Sequence, residues 1–401
     1  MSKSRANPPE QPVYTQGEEG WPHFAEDEIE AVAEVLRSGK VNQWTGTKVK
    51  IFEAELAEWL DVPHAVAVAN GTLGLELALR AHGIGEGDEV IVTSRSFVAS
   101  AGCVRTVGAT PVFADVDADT QNISAATAAP LVSAKTRAIL PVHLAGWPAD
   151  MLPLMTLAAE NDLLVIEDCA QSIGAESGGQ RTGSHGHAAV FSFCQDKIIS
   201  TGGEGGMVTF KDRGAWQRAW EYKDHGKSWE AMQPRPGAKP GFRYVHDSPG
   251  SNWRLTEMQA AIGLKQMEKL AGWIGTRTRN AEIWRAALGD SPALRIPWPG
   301  EETRHAWYKF YCFLRPDALK PGVVRDDVLQ ALVEGGVRAF TGSCPEIYRE
   351  DVFEDLEVET RPVAQRLGQT SLMFEVHPTL DPKRLAATAK TARGIIDSFA
   401  A

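Results

Sequence analysis

The chain is predicted to be an α/β protein with a mostly parallel central sheet flanked by helices, followed by a smaller C-terminal α/β part. Between Ala65 and Ile166, strand-like and helix-like segments alternate, which is the order that a parallel sheet with crossover helices requires. The strand-like runs are continuously apolar rather than alternating, so both faces of the sheet must be covered. After about Leu294 the pattern restarts with a fresh strand and two further helices, as expected of a second, smaller unit.

Residues 1–20 are polar and carry Pro8, Pro9 and Pro12, so they read as a flexible arm ahead of the fold. A large domain then spans 21–290 and a small one 291–401. The first helix is expected over 26–36, because Ile29, Val32, Ala33 and Leu36 recur at helical spacing and Ser38-Gly39 supplies a stop. A strand over 65–69 turns at Asn70-Gly71-Thr72 into a helix over 73–82. Strand 89–92 and helix 98–107 follow, then strands 111–113 and 138–143, helix 151–161 and strand 163–168. The apolar run 188–193 is the next strand, and Thr201 to Gly206 is a glycine-rich turn that lets backbone approach a ligand. Residues 213–250 hold Pro234, Pro236, Pro240 and Pro249 and read as a long irregular insertion ahead of a helix over 256–271. The small domain contributes strand 309–314, helix 325–334 and a closing helix 382–399.

Composition narrows the function. The chain has 401 residues, 52 acidic against 41 basic, and a formal net charge of −11, which argues against nucleic acid or an anionic membrane as partner. Apolar runs are no longer than strands and the first eleven residues lack an apolar core, so neither a membrane span nor a secretory signal is expected and the protein is placed in the cytoplasm. The five cysteines, Cys103, Cys169, Cys194, Cys312 and Cys344, are odd in number and contain no C-x-x-C pair, which suits a reducing compartment and argues against a zinc ribbon; no metal is expected.

Two residues carry the chemistry. Asp168 ends an apolar strand, at the edge where open α/β sheets bind ligands, and Lys197 follows it by 29 residues in the run Phe191-Ser192-Phe193-Cys194-Gln195-Asp196-Lys197. A lysine amine forms a Schiff base with an aldehyde, and a carboxylate at a strand end holds a pyridine nitrogen protonated. Those are the two groups that pyridoxal 5'-phosphate requires. Gly71 and Thr72 stand where a strand becomes a helix, and free N–H groups there suit a phosphate, although an N-cap threonine without a ligand would look the same.

Asn70-Gly71-Thr72, the run Glu167 to Ser172, Phe191-Ser192-Phe193 with Lys197, Gly203 to Gly206, and Gly250 to Arg254 together resemble the DegT-type sugar aminotransferases of PLP fold type I. The motifs keep the family's order and spacing from about Trp21 to the C-terminus. The resemblance implies that Lys197 and Asp168 are catalytic and that Gly71, Thr72 and Ser192 hold the cofactor phosphate. It further implies that Phe97 stacks on the ring and that Gln171 reaches the ring's 3'-oxygen. Asn252 would reach the phosphate of a neighbouring subunit, making a homodimer with shared sites. Ser251 and Trp253 depart from the usual Gly-Tyr-Asn-Tyr-Arg form, and Cys194-Gln195-Asp196 from the usual triplet before the lysine.

The implied reaction moves an amino group from an amino acid, glutamate or glutamine, to a keto sugar carried on a nucleotide. A cyclitol ketone is the alternative acceptor. An aminohydroxybenzoate synthase is another, because Gly336 to Phe340 and Glu346 to Arg349 resemble that branch. Lys197 argues against a histidine-dependent deoxysugar dehydratase, and a non-catalytic cofactor-binding sensor is the minor option. The acceptor pocket is expected from residues 213–250 and 341–350.

Overall fold

Continuous apolar strands need cover on both faces, and the computed structural model shows how it is supplied; residues 20–233 and 241–401 are described, so most of the predicted arm and Pro234, Pro236 and Pro240 lie outside the described residues. The strands are β1 (His64–Val68), β2 (Glu89–Thr93), β3 (Thr110–Ala114), β4 (Thr136–Leu140), β5 (Leu164–Asp168), the short β6 (Glu176–Ser177) and β7 (Gln180–Arg181), then β8 (Ala188–Ser192) and β9 (Gly206–Phe210). Seven of them form one sheet in the order β1-β9-β8-β5-β4-β2-β3, in which β9 alone runs against the rest.

Alternate residues of each strand go to opposite cores. Val66, Val68, Val90, Val92, Ile166 and Val190 pack with Leu75 and Leu79 of the Gly71–Ala81 helix, Val104 of the Ala99–Thr106 helix and Ala219 of the Arg213–Tyr222 helix. On the other face, Ala65, Ala67, Ala189 and Phe191 meet the Lys48–Leu60 and Glu257–Leu288 helices, while Ile91, Ile139 and Val165 meet the Met151–Glu160 helix.

A second sheet, β10 (Leu294–Arg295), β12 (Phe310–Leu314), β14 (Ser371–Phe374) and β13 (Ala339–Phe340), is antiparallel and packs against the Arg325–Glu334 and Pro382–Ser398 helices. The remaining strand, β11 (Thr303–Arg304), pairs with β6.

Several expectations need correction. Residues 213–222 are helical rather than irregular, because the Asp212 carboxylate caps the Ala215 N–H at 2.7 Å and Trp216 and Trp220 pack edge-on against Trp229. The helix expected over 256–271 runs from Glu257 to Leu288: Gly272 and Gly275 cost only about 1 kcal/mol each, and burial of Ile274, Arg277, Ala281, Trp284 and Leu288 outweighs that. The strand expected to reach His143 stops at Leu140, and the chain turns through left-handed backbone at Ala145 (φ 58°) and Gly146 (φ 93°). The Lys48–Leu60 helix and β9 were not anticipated.

Candidate active site

Strands β1, β5 and β8 run parallel and therefore end on one edge of the sheet, delivering Asn70, Asp168 and the segment after Ser192 to the same place. A cavity of about 870 Å³ opens there. Gly71, Thr72, Phe97, Asp168, Gln171, Ser192 and Lys197 all line it.

The phosphate-sized end is formed by the start of the Gly71–Ala81 helix. The Asn70 side chain accepts from the Leu73 N–H at 2.9 Å, whereas the N–H groups of Gly71 and Thr72 have no acceptor among the described residues. Glycine is required at this junction. A Cβ on Gly71 would lie 2.7 Å from the Ser192 Cβ, and one on Gly206 would lie 2.7 Å from the Asn70 carbonyl. The helix end thus sits directly on the sheet, with the Ser192 hydroxyl beside it.

Asp168 is 4% exposed. One carboxylate oxygen accepts from the Ser100 hydroxyl at 2.8 Å and the other from the Ala170 N–H at 3.1 Å. Burial pushes its carboxyl above the ordinary range, against the opposing pull of the Ser100 hydroxyl and the Ala170 N–H. A buried carboxylate in that condition gains from any cation brought to its free lone pairs. Beside it, the Gln171 side-chain oxygen is occupied by the Ala145 N–H at 2.7 Å, so its amide N–H groups remain for a ligand.

Lys197 stands on the loop after β8, held by its own N–H to the Cys194 carbonyl and by the Trp21 indole donating to its carbonyl at 2.7 Å. Its Nζ lies 3.4 Å from the Tyr308 hydroxyl, 3.6 Å from an Asp196 oxygen and 4.9 Å from the centre of the Tyr308 ring. Tyr308 donates to Asp196. Burial, then Asp196, raises the Tyr308 hydroxyl well above its usual range. Burial alone would also raise Asp196, but Lys197 and the Tyr308 hydroxyl together hold it lowered.

Phe97 lies on the wall and is 65% exposed, so the cavity is open at that side. Asn252 stands apart. It is exposed, bridges to Asp224 and does not line the cavity of its own chain. Of the two loops expected to build the acceptor pocket, 341–350 contributes Gly342, Ser343 and Cys344, and no described residue of 213–250 lines this cavity. Sequence reasoning missed Ser100, Tyr308, Lys309 and Tyr311, which reach the site from 68 to 143 residues away from Asp168 with no spacing to signal them.

Beneath Asp168, the buried His143, Glu167 and Cys169 form a group compact enough for a metal ion. Its capacity is already used. His143 accepts from the Ala149 N–H and donates to Glu167 at 3.0 Å, and Glu167 also takes the N–H groups of Gly183, His185 and Gly186. The network fixes the end of β5.

These residues fit pyridoxal 5'-phosphate: free helix-end N–H groups for the phosphate, a buried carboxylate short of a cation, and an amine on the opposite chain segment sharing one cavity. Comparison with known proteins agrees. Residues 22–391 match the DegT/DnrJ/EryC1/StrS aminotransferase family. The chain is 37% identical over 349 residues to the UDP-N-acetyl-3-dehydro-alpha-D-glucosamine 3-aminotransferase of Acidithiobacillus ferrooxidans, covering 87% of this chain and 88% of that one. It is 31% identical over 364 residues to the GDP-perosamine synthase of Escherichia coli O157:H7, covering 91% and 94%. An aminotransferase structure from Psychrobacter cryohalolentis superposes with a TM-score of 0.92 at 45% identity, covering 95% of this chain and 99% of that one. The chain belongs to the DegT/DnrJ/EryC1/StrS aminotransferases and is a pyridoxal 5'-phosphate-dependent enzyme of fold type I.

Proposed function

We propose that this enzyme transfers an amino group from glutamate or glutamine to a ketone of a nucleotide-linked sugar, in a homodimer located in the cytoplasm. The observation that carries the reading is the joint placement of Asp168, Lys197 and the open end of the Gly71–Ala81 helix around one cavity. The acceptor class rests on relatives named for UDP- and GDP-linked sugars, and the five unpaired cysteines favour a reducing compartment.

When bound, pyridoxal 5'-phosphate supplies an aldehyde that condenses with amines and a protonated ring that draws electrons from the carbon being deprotonated. The chain's residues do the rest. The Gly71 and Thr72 N–H groups and the Ser192 hydroxyl bind the phosphate. Asp168, held in place by Ser100 and Ala170, would accept the ring N–H. The Gln171 amide would donate to the ring's 3'-oxygen, and Phe97 would pack against the ring. Lys197 Nζ anchors the cofactor and then moves a proton to and from the substrate carbon. Tyr308 and Asp196 keep that amine pointed into the cavity.

The cofactor-loaded protein is expected to absorb in the visible, to lose that band on addition of L-glutamate alone, and to regain it on addition of a UDP- or GDP-linked keto sugar. Lys197→Ala should retain phosphate-anchored cofactor but complete neither half of the cycle. A full cycle in Lys197→Ala would remove the assignment.

A further inference from the structure

Among the described residues, two cations line the cavity, Lys197 and Lys309. Lys309 directly precedes β12, and its side chain is 17% exposed. Its Nζ makes no hydrogen bond among the described residues, and its nearest carboxylate, Glu375, lies at 3.9 Å. Glu375 is already engaged by Arg338 at 3.1 Å and by His377 at 3.8 Å. Burial, with Arg277 and Lys197 adding to it against the pull of Glu375, lowers the Lys309 ammonium below the usual lysine range. Pairing with an anionic ligand would restore its hold on the proton.

Its position decides which ligand. The Nζ atoms of Lys197 and Lys309 lie 4.9 and 5.3 Å from the centre of the same Tyr308 ring. An α-amino acid carries its carboxylate on the carbon next to its nitrogen. A donor whose nitrogen reacts where Lys197 Nζ lies therefore brings that carboxylate to the neighbourhood of Tyr308. The cavity also contains three acidic side chains, Asp168, Asp196 and Glu204. Once Lys197 is committed to the cofactor, Lys309 is the cation left on the described wall to offset their repulsion of an anionic donor.

Resting on the aminotransferase reading of the site, we propose that Lys309 is the donor-recognising residue, its ammonium pairing with the α-carboxylate of the incoming amino acid.

The test titrates cofactor-loaded wild type, Lys309→Met, Lys309→Gln and Lys309→Arg with L-glutamate and with α-methyl-L-glutamate. The latter lacks the hydrogen removed in the reaction, so the spectral change reports binding alone. The apparent Kd for both should rise about 10- to 100-fold in the two neutral variants, with Arg restoring most of it. The α-carboxamide of glutamate should bind wild type and Lys309→Met alike, a pattern that a general packing defect would not give. Unchanged Kd values in both neutral variants overturn the proposal. So does weakened binding of UDP or GDP with glutamate binding intact, which would assign Lys309 to the acceptor. If wild type responds spectrally to no α-amino acid, the aminotransferase reading falls first and takes this one with it.

Discussion

At the scale of single residues, Asp168 is the side chain whose environment most clearly calls for a cation. Its carboxyl is raised by burial and holds two hydrogen bonds, neither from a cation. A carboxyl whose folded pKa is raised binds its proton more tightly folded than unfolded. It therefore costs the cofactor-free protein stability as pH rises through the ordinary carboxylate range and toward the folded pKa. Asp168→Asn removes that cost, keeps an oxygen for the Ala170 N–H and offers an amide N–H to the Ser100 hydroxyl, which can turn to donate to Ser96, so at pH 7 the melting temperature of the cofactor-free variant should equal or exceed wild type. Turnover should instead fall by about 100-fold or more, because the loss falls on the polarised ring. Thermal melts and steady-state rates on the same preparations check both halves; near wild-type turnover would make Asp168 a local cap. That Asp168 and Lys197 share one cavity could be anticipated from the sequence, because one cofactor needs both groups. Tyr308 was not, since 111 residues separate it from Lys197 and only the tertiary fold joins them.

At the scale of elements, the sheet was legible because strands covered on both faces are apolar throughout, and Val66, Ala67 and Val68 show the two destinations plainly. Helices were harder wherever aromatic or charged residues dominate, as in Arg213–Tyr222, where only Ala215 and Ala219 are fully buried and Trp216 and Trp220 pack on Trp229 as well as on the core. The element contact that matters for function is β9 against the start of the Gly71–Ala81 helix. At Gly206 an added Cβ meets the Asn70 carbonyl at 2.7 Å and the Gly71 nitrogen at 2.9 Å, both backbone atoms. Gly206→Ala should therefore push the helix end off the sheet at a cost of about 1–3 kcal/mol and weaken cofactor retention, while turnover per bound cofactor stays near wild type. Gly272→Ala, in open space on the Glu257–Leu288 helix, is the control and should stabilise by up to about 1 kcal/mol. Melting temperatures and cofactor titrations distinguish the two. Equal cofactor affinity in both variants would show that the helix end does not set the phosphate site.

At the scale of the whole molecule, Asn252 sits exposed on a loop tied to Asp224 and outside the cavity of its own chain. The loop is firmly built, since Asp224 is buried and paired with Arg254 and with Lys227 at 3.1 Å. A rigid loop presenting an amide away from its own site suits delivery to a second copy, whose cavity is open beside Phe97. If the second copy completes the phosphate site, cofactor binding and dimerisation are linked, and added cofactor should shift the equilibrium toward dimer and raise the melting temperature. Mixing inactive Lys197→Ala with Asn252→Ala protein separates this from a purely local role. In a shared-site heterodimer both defects fall in one site and the other site is intact, so an equal mixture should regain about a quarter of wild-type activity after random exchange. If each site were complete within one chain, every site in the mixture would carry one defect. No activity would then appear beyond that of the two variants alone, and that outcome, with subunit exchange demonstrated by mass, would return Asn252 to holding the turn before the Glu257–Leu288 helix.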